Sequence, residues 1–257
     1  MIDIFISPCP NDTFMFHSLC AGLRKISEPL RFHYLDIAEL NRRVLSGVIG
    51  VFKVSFATFF DVEDHYRLLN TGAALGFGCG PLLLRRPGLK TPNQDSLVAI
   101  PGKNTTAFAL LKNYYPHISK FIPMRFDEIP RQMHLGNIDY GLVIHETRFV
   151  YESMGLELVT DLGELFESDT SSPIPLGAIA VHRSLEAFIE ELQDAIRNSI
   201  LDSNREFPLE FCMKYAQEMD EAVLRDHIKT YVNDYSLHLD ETAMSGIDKL
   251  RLMCVKS

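Results

Sequence analysis

With 257 residues, 46% of them hydrophobic, the chain is long enough to bury the core of one large domain or of two lobes, and its composition is not that of a disordered protein. A formal net charge of −9, with no basic run beyond pairs such as Arg42-Arg43 and Arg85-Arg86, argues against a nucleic-acid or anionic-membrane partner. Five scattered cysteines without a Cys-x-x-Cys pair fit reduced thiols better than a disulfide frame or a zinc site.

The opening Met1-Ile-Asp-Ile-Phe-Ile-Ser-Pro8 has neither the basic start nor the long apolar core of an export signal, and no stretch approaches the ~20 apolar residues of a membrane helix; a cytoplasmic protein is expected. Ile2 to Ile6 reads as a buried strand, which Ser7-Pro-Cys-Pro-Asn-Asp-Thr13 turns into a helix carrying Phe14, Phe16, Leu19 and Cys20, with Asn11 or Asp12 as its cap. Leu30 to Leu35 is the next strand, and Asp36 opens a helix that stops at Gly47. Val48 to Val54 follows, with Lys53 and Ser55 at its carboxyl end. A cation in an apolar run has to reach water or an anion, by snorkelling or by binding. The segment Gly72 to Gly80 holds four glycines in nine residues but matches no nucleotide loop, and is read as backbone packed tightly near a cleft. Leu82 to Arg85 then reads as a strand crossing between lobes, and Pro87-Gly-Leu-Lys-Thr-Pro-Asn-Gln94 as the first hinge.

Ser96 to Ile100 restarts a buried strand, and Pro101-Gly-Lys-Asn-Thr-Thr106 leads into a helix from Ala107 to Tyr115. Free amides and two hydroxyls at that helix start suit a carboxylate or phosphate, although capping by Thr105 alone explains them equally well. Phe126 to Gly136 is helical, and Ile138 to His145 is a strand whose apolar run stops abruptly at His145 and Glu146. In an open α/β sheet the carboxyl ends of the strands meet the ligand crevice, which makes His145 the candidate base. Leu158 to Leu162 is a further strand, Ser168 to Pro175 a loop, and Leu176 to Val181 the return crossing. The amphipathic tail from Leu185 is expected to brace the first lobe; no chemistry is read in it, and His227 and His238 are taken as surface residues. The divisions expected are residues 1–88 for the first part of lobe 1, 89–175 for lobe 2, and 176–257 for the return crossing and the helices completing lobe 1.

The halves echo each other. At an offset of 89, Glu39-Leu40 falls on Glu128-Ile129, Gly47 on Gly136, Val54 on Val143 and Phe56 on His145; at 94, Ile6 to Phe14 falls on Ile100 to Phe108. On this plan Asn11, Lys53 with Ser55, Thr105 with Thr106, and His145 converge on a cleft between two α/β lobes that suits a small anionic ligand, with one imidazole poised for proton transfer.

Five segments in order, Ser7-Pro-Cys-Pro-Asn-Asp-Thr-Phe14, Lys53-Val-Ser-Phe56, Gly76-Phe-Gly-Cys-Gly-Pro-Leu82, Pro101-Gly-Lys-Asn-Thr-Thr106 and Gly141-Leu-Val-Ile-His-Glu146, resemble the 1,4-dihydroxy-6-naphthoate synthase family of the futalosine route to menaquinone. The resemblance covers about residues 2 to 182 and leaves the tail unmarked. It implies a two-lobed fold like that of the type II periplasmic binding proteins. It also implies a lyase that converts cyclic dehypoxanthinyl futalosine into 1,4-dihydroxy-6-naphthoate, releasing a three-carbon fragment, dihydroxyacetone, with no metal or organic cofactor. The family's catalytic histidine falls on His145 and its substrate contacts on Lys53, Val54, Ser55, Thr105 and Thr106; Asn11 and Glu146 lie in the motifs without an assigned role. Two other readings are weighed: chorismate dehydratase of the same pathway and fold, against which the Ser-Pro-Cys-Pro-Asn-Asp opening speaks, and a non-catalytic binding protein.

Overall fold

Each half of the chain begins with a β-α-β-α-β run. The computed structural model describes residues 1–216 and 220–256. In the first run, β1 (Ile2–Ile6), α1 (Pro10–Cys20), β2 (Leu30–Tyr34), α2 (Ile37–Leu45) and β3 (Val51–Ser55) set β1 parallel between β2 and β3. The chain continues through α3 (Phe56–Val62), β4 (Tyr66–Leu68), β5 (Ala74–Gly76) and β6 (Leu82–Arg85). The second run, β7 (Leu97–Ile100), α4 (Thr106–Tyr114), β8 (Lys120–Pro123), α5 (Glu128–His134) and β9 (Tyr140–Val143), repeats the plan with β7 parallel between β8 and β9. The short α6 (Thr147–Val150), β10 (Glu157–Asp161), α7 (Leu162–Thr170) and the long β11 (Ile174–His182) follow.

Two sheets result. The first runs β2-β1-β3-β11-β4, with β5 also paired to β11, and the second runs β10-β6-β9-β7-β8. β11 lies antiparallel to β3, and β6 antiparallel to β9, so each lobe is closed by a strand that arrives after an excursion. Pro87 to Gln94 therefore joins two strands of the second sheet, and the chain changes lobes earlier, between β5 and β6. Proline and glycine mark a turn, but a turn within a sheet and a hinge between lobes share that composition. The stretch read as a loop from Ser168 to Pro175 is likewise the end of α7 and the start of β11.

Local chemistry places the helices. Asp36 accepts from the amides of Ala38 and Glu39 to cap α2, Thr105 accepts from Phe108 to cap α4, and Asp161 accepts from Gly163 and Glu164 to cap α7. The echoed glycines Gly47 and Gly136 follow α2 and α5 with φ of 74° and 80°, the left-handed turn that ends a helix. After a 3-10 turn (Arg183–Phe188), α8 (Ile189–Arg205) buries Leu192, Ile196 and Ile200 against Ile4, Ile6 and Met15 of the first sheet and α1. The remaining helices are α9 (Leu209–Tyr215), α10 (Glu221–Tyr231), α11 (Asp234–Leu237) and α12 (Glu241–Lys256). α12 packs on α3 and β11 of the first lobe and on α4 of the second. Its Ile247 and Leu250 join a core that continues from Phe52 and Phe56 to Leu83, Ile100 and Leu110, so the tail braces both lobes.

Where the chain enters the second lobe, Gly80 meets Gly163 backbone to backbone. A Cβ added at Gly80 would lie 2.3 Å from Gly163 Cα and 2.4 Å from its N, and neither atom belongs to a side chain that could swing away. Overpacking of this kind costs about 1–3 kcal/mol. Gly80→Ala is expected to lower the melting temperature by roughly 2–12 °C in a chain of this size, read by thermal denaturation; an unchanged melt would show that the contact is slack.

Candidate active site

A cavity of about 80 Å³ lies between the lobes, and His145, Lys53, Ser55, Thr105, Thr106 and Asn11 all line it. Val54 does not: its side chain is fully buried in the core, because neighbouring residues of a strand point to opposite faces. His145 sits just past the end of β9, and its φ of 59° is a left-handed conformation that costs a non-glycine residue of the order of 1–2 kcal/mol. Such strain persists where the surroundings fix it, and it turns the ring into the cleft. Phe126 meets that ring edge-on with centroids 4.8 Å apart. Burial lowers the imidazole pKa to about 4, with Asp12 raising it and Lys53 lowering it further, so the ring is neutral near pH 7. Its Nε2 is buried and has no hydrogen-bond partner.

Beside the ring lies an ion pair. Lys53 Nζ stands 2.9 Å from Asp12 Oδ1, with the two side chains 5% and 1% exposed, and donates to the Gly72 carbonyl at 3.1 Å. An ammonium has three donors, so one remains for a ligand. Asp12 Oδ2 accepts from the Ser7 amide at 3.1 Å and the Ser7 hydroxyl at 2.7 Å, and Oδ1 also accepts from Asn11 Nδ2 at 2.9 Å. The expectation that Asn11 or Asp12 caps α1 fails here: the helix starts at Pro10, whose fixed φ suits a first helical position, and both residues lie within its first turn. Ser55 is held by Asn41, whose Nδ2 donates to Ser55 Oγ at 3.0 Å while its Oδ1 accepts from the Ser55 amide at 3.0 Å.

Across the cavity the start of α4 is pinned to the first lobe. Asn41 Nδ2 and Thr58 Oγ1 both donate to the Asn104 carbonyl, at 2.8 and 2.5 Å. Thr106 Oγ1 accepts from the Ala57 amide at 3.2 Å and donates to the Leu176 carbonyl at 3.2 Å. Thr105 Oγ1 donates to the Gly102 carbonyl and accepts from the Phe108 amide. With both hydroxyls engaged, what this corner offers an anion is the first-turn amides of Thr106 and Ala107, which no carbonyl inside the helix can reach.

The tail, read as featureless, supplies part of the wall. Tyr231 of α10 lines the cavity, and His227, one turn earlier, is fully buried rather than on the surface. Its Nε2 lies 3.1 Å from Asn11 Oδ1, its ring is 6.3 Å from that of His145 and near parallel to it, and burial pushes its pKa well below the ordinary value. His238 instead pairs with Asn70 at an exposed site. A second, part-buried pair, Arg148 Nη2 to Asp161 Oδ2 at 2.5 Å, lets Arg148 Nη1 donate to the Gly80 carbonyl at 2.8 Å, fixing the glycine-rich wall. Among the described residues, Cys9, His145 and Glu146 bring one metal-ligand atom each within 4.8 Å of the others. Burial raises the Cys9 thiol well above its ordinary range, so an ion binding there would have to displace its proton.

The chain is 39% identical over 249 residues to 1,4-dihydroxy-6-naphtoate synthase of Thermus thermophilus, covering 95% of this chain and 90% of that one. It is 39% identical over 254 residues to the enzyme of the same name from Streptomyces coelicolor, covering 96% and 90%. The ligand-binding component of an ABC-type import system from Staphylococcus aureus superposes with a TM-score of 0.72 over 100% of this chain and 92% of that one, at 14% identity, a likeness of fold alone. The fold is thus the two-lobed, periplasmic-binding-protein-like α/β fold that the sequence pointed to. The profile of the menaquinone biosynthesis family matches residues 2–256, and the chain belongs to that family.

Proposed function

We propose that the protein is a carbon–carbon lyase that converts cyclic dehypoxanthinyl futalosine into 1,4-dihydroxy-6-naphthoate and dihydroxyacetone. The observation that carries this reading is His145: a neutral, strained imidazole with an unpartnered nitrogen, facing an inter-lobe cavity in a chain with two naphthoate-synthase relatives. His145 takes a proton next to the substrate carbonyl. The bond to the three-carbon fragment then breaks with its electron pair leaving on the fragment, which takes up a proton returned by the imidazolium, and formation of the aromatic ring draws the step forward. The free donor of Lys53 and the amides at Thr106 and Ala107 hold the substrate carboxylate, while Ser55, oriented by Asn41, faces the developing oxyanion. No helix among the described residues is long and apolar enough to cross a membrane, and all five cysteines are free, which supports a cytoplasmic enzyme acting on a small carboxylate.

Incubating the purified chain with cyclic dehypoxanthinyl futalosine should yield 1,4-dihydroxy-6-naphthoate by mass spectrometry; no product, or turnover of chorismate instead, defeats the assignment. His145→Ala should lower kcat by about 10²–10⁴-fold while substrate still binds, as removal of a general base does. Burial disfavours the imidazolium, so the active neutral form dominates at every pH above about 4. The pH profile of kcat/KM should accordingly show no inflection near the ordinary histidine value of ~6.5 and an acid limb centred near 4. A limb at ~6.5 would place the base elsewhere.

A further inference from the structure

We infer that His227, which the reaction above does not use, is a positioning residue that locks the side-chain amide of Asn11 and, through it, the Asp12–Lys53 pair. The inference rests on the reading of Lys53 as a substrate contact. Four side chains from three separate elements form one buried chain: His227 Nε2 to Asn11 Oδ1 at 3.1 Å, Asn11 Nδ2 to Asp12 Oδ1 at 2.9 Å, and Asp12 Oδ1 to Lys53 Nζ at 2.9 Å. All four residues are at most 5% exposed, so no solvent can replace a lost partner.

The direction of each bond follows from the carboxylate. Asp12 only accepts, so the Asn11 amide must present its NH₂ to Oδ1, and its own oxygen then faces His227 and needs a donor. The neutral imidazole must carry its proton on Nε2, which leaves Nδ1 bare, and Nδ1 is the buried atom of this ring without a partner. The ring cannot swing away, because Tyr231 packs on it at 4.6 Å and Phe149 at 6.2 Å. Without the Nε2–H donor, the Asn11 oxygen would be buried unsatisfied, and the amide would turn and release Asp12 Oδ1. That same oxygen holds Lys53, so the loss is transmitted to the ammonium facing the substrate.

The test compares His227→Leu, which has no donor, with His227→Gln, whose side-chain NH₂ reaches to about the place of Nε2. His227→Leu should raise KM for cyclic dehypoxanthinyl futalosine by roughly 10- to 100-fold with kcat changed by less than about threefold, and His227→Gln should restore KM to within about threefold of the parent. A parent-like KM in His227→Leu, or a glutamine variant no better than leucine, would overturn the inference. A readout independent of folding of the variants is the ¹⁵N NMR of the imidazole nitrogens in the unaltered protein: the Nε2-protonated tautomer of His227 is expected, and the Nδ1-protonated tautomer would overturn the lock. If the unaltered protein makes no product, the functional reading has failed, and the tautomer still decides this inference.

Discussion

The structure depends on the burial of one charge. Lys53 stands in the middle of β3 with its ammonium out of water, a position tenable only because Asp12 meets it at 2.9 Å. Breaking such a pair from one side costs about 3–5 kcal/mol, since the remaining charge is stranded. The requirement spreads outward. Asp12 has to be held at the start of α1 by the Ser7 amide and hydroxyl, and the turn after β1 is shaped to do this. Lys53 needs room on the facing strand, where Gly177 supplies it: a Cβ there would come within 2.9 Å of Lys53 Cε. The elements that meet around this pair are those that line the cavity, so the demands of a buried charge and of a ligand site are satisfied by the same geometry.

The duplicated plan shows where the halves part ways. In the first lobe β3 runs into α3 without a break, and Phe56 begins the helix. In the second, Ile144, His145 and Glu146 intervene between β9 and α6, and His145 takes the left-handed turn. The residue aligned with a core phenylalanine thus leaves the helical path and faces the cleft. Strain of about 1–2 kcal/mol is small beside the stability of a domain, yet it sets where the ring points.

Much of this was legible in the residues. The apolar run ending at His145, the lysine inside a dry strand, and the paired glycines Gly47 and Gly136 are local signals with direct structural causes, and they locate strand ends and helix stops without long-range knowledge. The role of α10 was not legible. His227 lies 216 residues from the asparagine it touches, and an isolated histidine on an amphipathic helix looks the same whether the helix docks over a cleft or faces water. The lobe change was misplaced for a related reason: β6 pairs with β9 and β10, and that pairing is a choice of partner that the strand's own four residues do not encode. Val54 shares the motif of Lys53 and Ser55, but strand alternation sends its side chain into the core.

The small cavity and the seam across it have a thermodynamic consequence. About 80 Å³ is well below the 300–1,000 Å³ typical of small-molecule pockets, and the lobes are tied above it through the Asn104 carbonyl and Thr106. A ligand larger than this cavity needs the seam to part before it can enter. The apparent affinity is then the intrinsic affinity multiplied by the fraction of molecules in which the seam has parted, and a substitution loosening the seam, at Thr58 for instance, raises that fraction and tightens apparent binding without touching a ligand atom.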